Sequence, residues 1–192
     1  MKDVDTKLQK KNKVLFNRQS ECLQKLRSMI EKQTHRTMIL WAFDCVKMPL
    51  TTMQLKYPEE TRFQNAYTLC DLWAQGEIKM PIAKRAILDA HAVAKEWDDP
   101  VDIALCHAIG QGLSSVHVET HALGLVFYEL SAIVFANKEY ESLVKQKVKY
   151  YEERLRYWEK QTDITNRKWA AFILKSPMPN REWLLHQKEK SK

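Results

Sequence analysis

The sequence predicts an all-α protein, and three observations lead to this class. Only 4 of the 192 residues are glycine and 6 are proline, too few for a barrel or sandwich that turns about every ten residues. Apolar residues recur at the three-and-four spacing of buried helix faces. No segment shows the clean alternation of a half-buried strand. The expected architecture is a multi-helix orthogonal or antiparallel bundle around a central helix pair rich in small residues.

Charge divides the chain into three parts. The net charge of +7 combines +6 over residues 1–36, −5 over 37–137 and +6 over 138–192. We expect one helical domain over 1–192, in which a core is flanked by a basic N-terminal helix over 1–35 and by basic, aromatic-rich C-terminal helices over 138–192. An acidic body with two basic arms is found in proteins that bind an acidic partner or nucleic acid. The same distribution is equally typical of helices whose charged faces are exposed to solvent.

The first helices are predicted by amphipathic patterns and end signals. Two amphipathic helices are expected over 18–33 and 34–48, with Thr34 as the N-cap of the second. A third helix is expected over 61–76, where a single apolar stripe runs up to Gly76. Glycine there suits the left-handed residue that commonly ends a helix.

The central helices follow from proline positions and small residues. Pro81 suits the first turn of a helix over 81–97, and Asp98–Pro100 contains a stop, an N-cap and a first-turn proline. The stretch from 100 to about 137 is the most apolar and is rich in small residues, so it is expected to be buried. The pattern is compatible with one helix or with two, and a break is favoured near Ser115–Glu119 because valines are weak helix formers.

The C-terminal part is predicted to be helical and more polar. A charged amphipathic helix over 139–161 carries Tyr and Trp residues. A short helix is expected after Asp163, then a last turn or helix through Trp183, with fraying from Lys188 to the end.

The compartment is predicted from what the chain lacks. The N-terminus has no apolar region of a secretory signal, and the longest apolar run is interrupted by Glu129. Four well-separated cysteines favour reduced thiols in the core over a disulfide framework. We therefore expect a cytoplasmic protein with no membrane span.

Six polar residues on or beside apolar stripes are candidates for a functional site. They are Asp44, Asp89, His91, His107, His117 and His121. His117 and His121 are four residues apart and share a face if that turn is helical. A metal-binding or hydrolase-like site is one interpretation, and a polar core held by hydrogen bonds is the other.

Known catalytic motifs are missing. The segment HVETH differs from the metalloprotease motif HExxH because its glutamate stands two positions after the first histidine. No glycine-rich phosphate loop and no nucleophile elbow occur. The residues therefore predict no catalytic site, no bound metal and no cofactor.

Nucleic-acid binding through the basic arms is a weaker alternative. The C-terminal region contains both aromatic and basic residues, as do surfaces that bind single strands. Acidic residues are interleaved with them, however, and no known binding motif is present.

Five segments in the middle of the chain form a recognisable series: LWAFDC (40–45), YPEETR (57–62), WAQGEI (73–78), DAHAVAKE (89–96) and HAIGQGLSSVHVETHALG (107–124). In their order and spacing they resemble the bacterial fifth-type-like immunity protein family, an all-helical group, over about 36–137. Residues that the resemblance singles out are Trp41, Asp44, Arg62, Trp73, Gly76, Glu77, His91, His107, His117, His121 and Gly124. The chain departs from the pattern at Arg62-Phe63 and Cys106-His107, and both departures are compatible with helices.

The resemblance implies a protein that binds a cognate bacterial toxin inside the producing cell and neutralises it by contact. Such a role needs a rigid scaffold and a complementary surface, not an enzyme. An exposed aromatic or apolar patch, on a helix face or in the Tyr/Trp-rich C-terminal segment, is the expected interface. Formation of a homo-oligomer is compatible with the sequence.

Overall fold

The computed structural model describes residues 2–191 and contains helices but no strand in that range. The all-α prediction is confirmed. The α-helices are α1 Lys2–Gln9, α2 Gln24–Ile30, α3 His35–Cys45, α4 Lys47–Lys56, α5 Arg62–Gln75, α6 Met80–Ala92, α7 Pro100–Ser114, α8 His121–Ala136, α9 Glu141–Gln161, α10 Ala171–Leu174 and α11 Arg181–Lys190. Single turns of 3₁₀ helix, Glu21–Leu23 and Val93–Lys95, precede α2 and follow α6.

Helix ends lie where the sequence signals place them. Thr34 accepts a hydrogen bond from the Thr37 amide at 3.2 Å and so caps α3. Asp99 caps α7 by accepting from the Val101 amide at 2.9 Å. Gly76 ends α5 with a φ of 79°, a left-handed conformation that glycine adopts without a Cβ clash.

The centre of the molecule is the helix pair α7 and α8. α7 packs most extensively on α8 and also contacts α3, α4, α5 and α6. The stretch from 100 to about 137, for which the sequence allowed one helix or two, forms two helices, because α7 ends at Ser114 and α8 begins at His121. Gly112 of α7 allows close packing on two sides, since a Cβ added there would lie 3.1 Å from a methyl group of Val46 at the α3–α4 junction and 3.4 Å from a methyl group of Leu125 on α8.

Two parts of the chain differ from the prediction. α4 was missed because KMPLTTMQLK has two β-branched threonines and a proline, yet buried Leu50 and Met53 hold it against the core. The single basic helix expected over 1–35 is wrong: two short α-helices are separated there by an irregular stretch, which buried Leu15 and Phe16 anchor.

A buried ion pair joins α8 to α9. Glu129, the charge that interrupts the apolar run, accepts from Lys147 at 2.5 Å and from the hydroxyl of Tyr151. Both charged side chains are under 10% exposed. Removal of either partner is expected to destabilise the fold, because it would leave an unpaired charge in the core.

A second set of ion pairs connects the two ends of the chain. Glu182 on α11 is fully buried and pairs with Arg18 at 2.6 Å and with Arg27 of α2 at 3.7 Å. Asn180 caps α11 and also donates to the carbonyls of Ile30 and Gln33. α11 is thereby fixed to the N-terminal helices and continues to Lys190, beyond the expected onset of fraying.

Candidate functional site

Two of the predicted histidines meet between α6 and α7. Nδ1 of His91 lies 3.0 Å from Nδ1 of His107. The His107 ring also lies beside the Tyr128 ring of α8, with 5.0 Å between the ring centroids. Gly110 makes room for the pair, because a Cβ there would be 2.4 Å from the His91 ring.

Burial keeps these two imidazoles neutral. It lowers the pKa of His91 to about 4, with a further contribution from the neighbouring His107 and His121. It also lowers the pKa of His107, and the positive charge of Lys13 acts in the same direction. At neutral pH one Nδ1 therefore donates its proton to the lone pair of the other, which fixes complementary tautomers.

His121 belongs to the same region but has a different partner. Its Nδ1 lies 2.9 Å from Oε1 of Gln111 on α7. Gly124 leaves the space that Gln111 occupies, because a Cβ at position 124 would lie 2.3 Å from the same Oε1 atom. Burial lowers the pKa of His121 as well, followed by the effect of His117.

The other three candidates lie apart from this pair. His117 is exposed in the connection before α8, so it shares no helical turn with His121, and its ring stacks on Trp73 with 6.2 Å between centroids. Asp89 pairs with Arg85 one turn away on the surface of α6. Asp44 accepts from Arg154 and Trp158 of α9.

The six residues do not form one catalytic or metal-binding cluster. Within residues 2–191 no three His, Cys, Asp or Glu side chains are placed to hold a metal ion. His91, His107 and His121 instead fill the spaces between helices with hydrogen-bonded neutral rings. This arrangement specifies how α6, α7 and α8 pack.

Sequence reasoning missed one histidine that the structure buries. His35, at the start of α3, contacts the Ser176 hydroxyl and the Ser115 carbonyl, both at 2.7 Å. It connects α3 to the α7–α8 connection and to the C-terminal segment. Nothing in the sequence marked it, because both partners are distant in the chain.

A surface patch on α4 and α9 has the composition of a protein interface. Met48 and Leu55 are 49% and 81% exposed, and Tyr157 is 44% exposed. These residues, together with Tyr150, Arg154 and Trp158, are named here the α4–α9 patch. A shallow cleft of about 430 Å³ lies in it, lined by Met48, Leu55 and Tyr150 among others.

Asp44 holds the polar part of the α4–α9 patch in place. Its carboxylate accepts from Nε of Arg154 at 2.5 Å and from the indole of Trp158 at 3.0 Å. The Arg154 guanidinium lies 4.4 Å from the centroid of the Tyr157 ring. One carboxylate thus orients two large side chains, Arg154 and Trp158, and this polar role explains why Asp44 stood out on an apolar face.

Residues that the family resemblance singled out serve mainly to hold the fold. Trp41 is buried and donates to the carbonyl of Tyr151 at 3.0 Å. Arg62 pairs with Glu60 and Glu96. Gly76 ends α5, as described above.

The model of a protein family described as "Imm-5 like putative immunity protein" matches residues 28–155, two-thirds of the chain. The chain belongs to this family. The match extends past the stretch 36–137 at both ends and takes in most of α9, with Asp44, α4, Tyr150 and Arg154 of the α4–α9 patch. No curated protein and no solved structure gave a significant match.

The length and composition of a helix determine whether it can span a bilayer. Among residues 2–191 no helix is both long and apolar enough to cross a bilayer.

Proposed function

We propose that this member of the immunity protein family binds a cognate toxin protein in the producing cell and neutralises it by contact, without catalysis. The contact is made by the α4–α9 patch. The observation that carries the proposal is the exposure of apolar and aromatic side chains around an oriented arginine, inside or next to the family-matched region.

The chemistry of the patch supports this role. Trp, Tyr and Arg are the residues that most often dominate binding energy at protein interfaces. Leu55 and Met48 leave apolar area in water that a partner can cover. Because Asp44 already orients Arg154 and Trp158, little side-chain freedom is lost on binding.

Binding rather than catalysis is supported by the state of the histidines. The neutral rings of His91 and His107 are hydrogen-bonded to each other, and the two carboxylates Asp44 and Asp89 are engaged with arginines elsewhere. A general base needs a reacting group within hydrogen-bond reach.

The test begins with affinity capture of the tagged protein from its native cells and identification of the captured partner. That partner is then expressed alone, where it should arrest growth, and together with the protein, where growth should return. A partner that is harmless when expressed alone contradicts the proposed function.

The interface is tested with matched variants. Leu55→Asp should lower the affinity for the partner at least tenfold and abolish growth rescue, because it places a charge in an apolar contact. Leu88→Asp is the control, since Leu88 is 51% exposed on α6, outside the patch. Equal binding by both variants, with the fold of each checked by thermal melting, contradicts the α4–α9 patch as the interface.

A further inference from the structure

Helix α11 has an inverted distribution of polar and apolar residues. Its residues Glu182, His186 and Glu189 recur at the three-and-four spacing of one helix face, and this face packs on the N-terminal helices. Glu182 is fully buried, Glu189 lies 2.8 Å from Arg27, and Nδ1 of His186 lies 2.7 Å from a carboxylate oxygen of Glu31. A surface helix usually buries its apolar residues and exposes its charges, so α11 shows the opposite arrangement.

The apolar residues of α11 are left on its outer side. Leu184 follows Glu182 by two positions, which is about 200° around the helix, and it is 43% exposed. Trp183 and Leu185 flank it and are each 37% exposed. Among the described residues, seven of the fifteen large apolar side chains that are exposed lie between positions 164 and 185. Apolar exposure is therefore concentrated at this end of the chain.

Positive charge accompanies this apolar surface. Arg181 and Lys188 stand three positions before and four positions after Leu184, so they share its helix face. Both are exposed, and neither forms an ion pair with another described residue. The two carboxylates of the helix, Glu182 and Glu189, are paired with arginines of the N-terminal segment and do not neutralise these cations. The surface formed by Arg181, Trp183, Leu184, Leu185 and Lys188 is named here the α11 outer face.

We infer that the α11 outer face binds the surface of an anionic lipid bilayer, as a peripheral contact that does not cross it. Trp183, Leu184 and Leu185 enter the boundary between headgroups and acyl chains, while Arg181 and Lys188 meet anionic headgroups. Tryptophan is favoured at this depth, because its ring system is apolar and its N–H group still reaches polar partners.

Charge and shape favour a lipid surface over a second protein. In a symmetric dimer the same face meets itself, so Arg181 and Lys188 would approach like charges, which is repulsive. Anchors at protein interfaces usually occupy pockets. Yet the α11 outer face lines neither the cleft in the α4–α9 patch nor the groove of about 1230 Å³ between α1 and α9. A bilayer interface needs no pocket, because lipid headgroups adjust to the convex side of a helix.

The inference is independent of the proposed toxin contact. The α11 outer face shares no residue with the α4–α9 patch, and α11 lies outside the family-matched range 28–155. Either surface can therefore fail its test while the other stands.

The first test is a titration of the full chain with sedimented lipid vesicles. One set is pure phosphatidylcholine, and the other contains about one-third phosphatidylglycerol, which makes its surface anionic. We expect at least tenfold tighter binding to the anionic vesicles and a steep loss of binding when salt is raised to about 0.5 M. Equal binding to both vesicles overturns the inference. Tighter binding of soluble polyglutamate than of the anionic vesicles, the result expected for an acidic protein partner, also overturns it.

An apolar variant then locates the contact. Leu184→Asp should weaken binding to the anionic vesicles at least tenfold, because it places a negative charge in the apolar contact. Leu88→Asp is a stringent control, since α6 also exposes Met80 and Ile82, and it should change affinity less than twofold. Leu184→Gln keeps the test valid if Leu184→Asp unfolds. Equal losses at positions 184 and 88 overturn the inference.

A charge variant tests the headgroup contact. Arg181→Gln with Lys188→Gln should weaken binding to the anionic vesicles at least fivefold, because two cations near the surface are removed. Lys79→Gln with Lys84→Gln removes the same charge at exposed positions near or on α6 and should change affinity less than twofold. The same loss in both double variants shows that only net charge matters and overturns the inference.

Tryptophan fluorescence gives a local readout of depth. Trp183 is the most exposed of the six tryptophans, all of which lie within residues 2–191. Anionic vesicles with brominated acyl chains should quench the fluorescence of the wild-type protein at least twofold more than that of Trp183→Phe, because bromine quenches only at short range. Equal quenching of the two proteins, with both bound to the vesicles, shows that another surface meets the lipid and overturns the inference.

Discussion

At the scale of single residues, neutral histidines and a buried ion pair are the most informative features. The His91–His107 hydrogen bond requires a free lone pair on one of the two Nδ1 atoms, so it is lost when both rings become protonated. Gly110 holds the two helices close enough for this contact. Protonation therefore acts directly on the packing of α6 against α7.

Stability should fall between about pH 6.5 and pH 4. The unfolded chain takes up a proton at His91 near its usual pKa of 6.5, whereas the folded chain takes it up only near 4, so acid favours unfolding in this window. The full loss attributable to His91 is about 3 kcal/mol, at the lower end of the window. Chemical denaturation in a pH series measures it.

His91→Gln should make the fall in stability with acid smaller, because one of the titrating rings is removed while His107 and His121 remain. His117→Gln is the control, since His117 is exposed and stacks on Trp73 outside the pair. An unchanged profile in His91→Gln contradicts the assignment.

Lys147→Met should destabilise the fold by about 3–5 kcal/mol, because it leaves the Glu129 carboxylate unpaired in the core. Unfolding by urea measures this loss. The double variant Glu129→Leu with Lys147→Met should recover most of it, since no charge is then left buried. Lys149→Met, on the exposed side of α9, should change stability by less than about 0.5 kcal/mol.

At the scale of helices, the sequence predicted several helix ends correctly but did not predict the helix α4. Thr34, Gly76 and Asp99 mark boundaries through local hydrogen bonds or backbone conformation, which depend on neighbouring residues only. α4 carries no such signal and is stabilised by burial of Leu50 and Met53. Tertiary packing determines whether a helix of this kind forms, so local sequence patterns cannot predict it.

Asn180→Ala should cost about 2–3 kcal/mol of folding stability. It removes the cap of α11 and leaves the carbonyls of Ile30 and Gln33 without their buried donor. Thermal or urea unfolding gives the value. Asn166→Ala, at an exposed position, is the matched control and should be nearly neutral, and an equally small effect at Asn180 contradicts its double role.

At the scale of the whole molecule, the family and fold class were predictable, but the arrangement of the candidate site was not. Periodicity singled out His91, His107 and His121, which lie partly buried between helices, but also Asp89 and His117, which lie at the surface. It could not pair His91 with His107 or Asp44 with Arg154, because 110 positions separate the latter two. The α4–α9 patch could likewise be predicted only in part, since Leu55 belongs to α4, which no local sequence signal indicated.

The ion pairs between the chain ends have a consequence for biosynthesis. Glu182 follows its partner Arg18 by 164 positions, a gap of on the order of 10 s at common translation rates. The helices α5 to α8 pack on neighbours in the sequence and are complete long before that. A nascent chain can therefore form the contacts among α5 to α8 before Glu182 of α11 is available to Arg18 and Arg27.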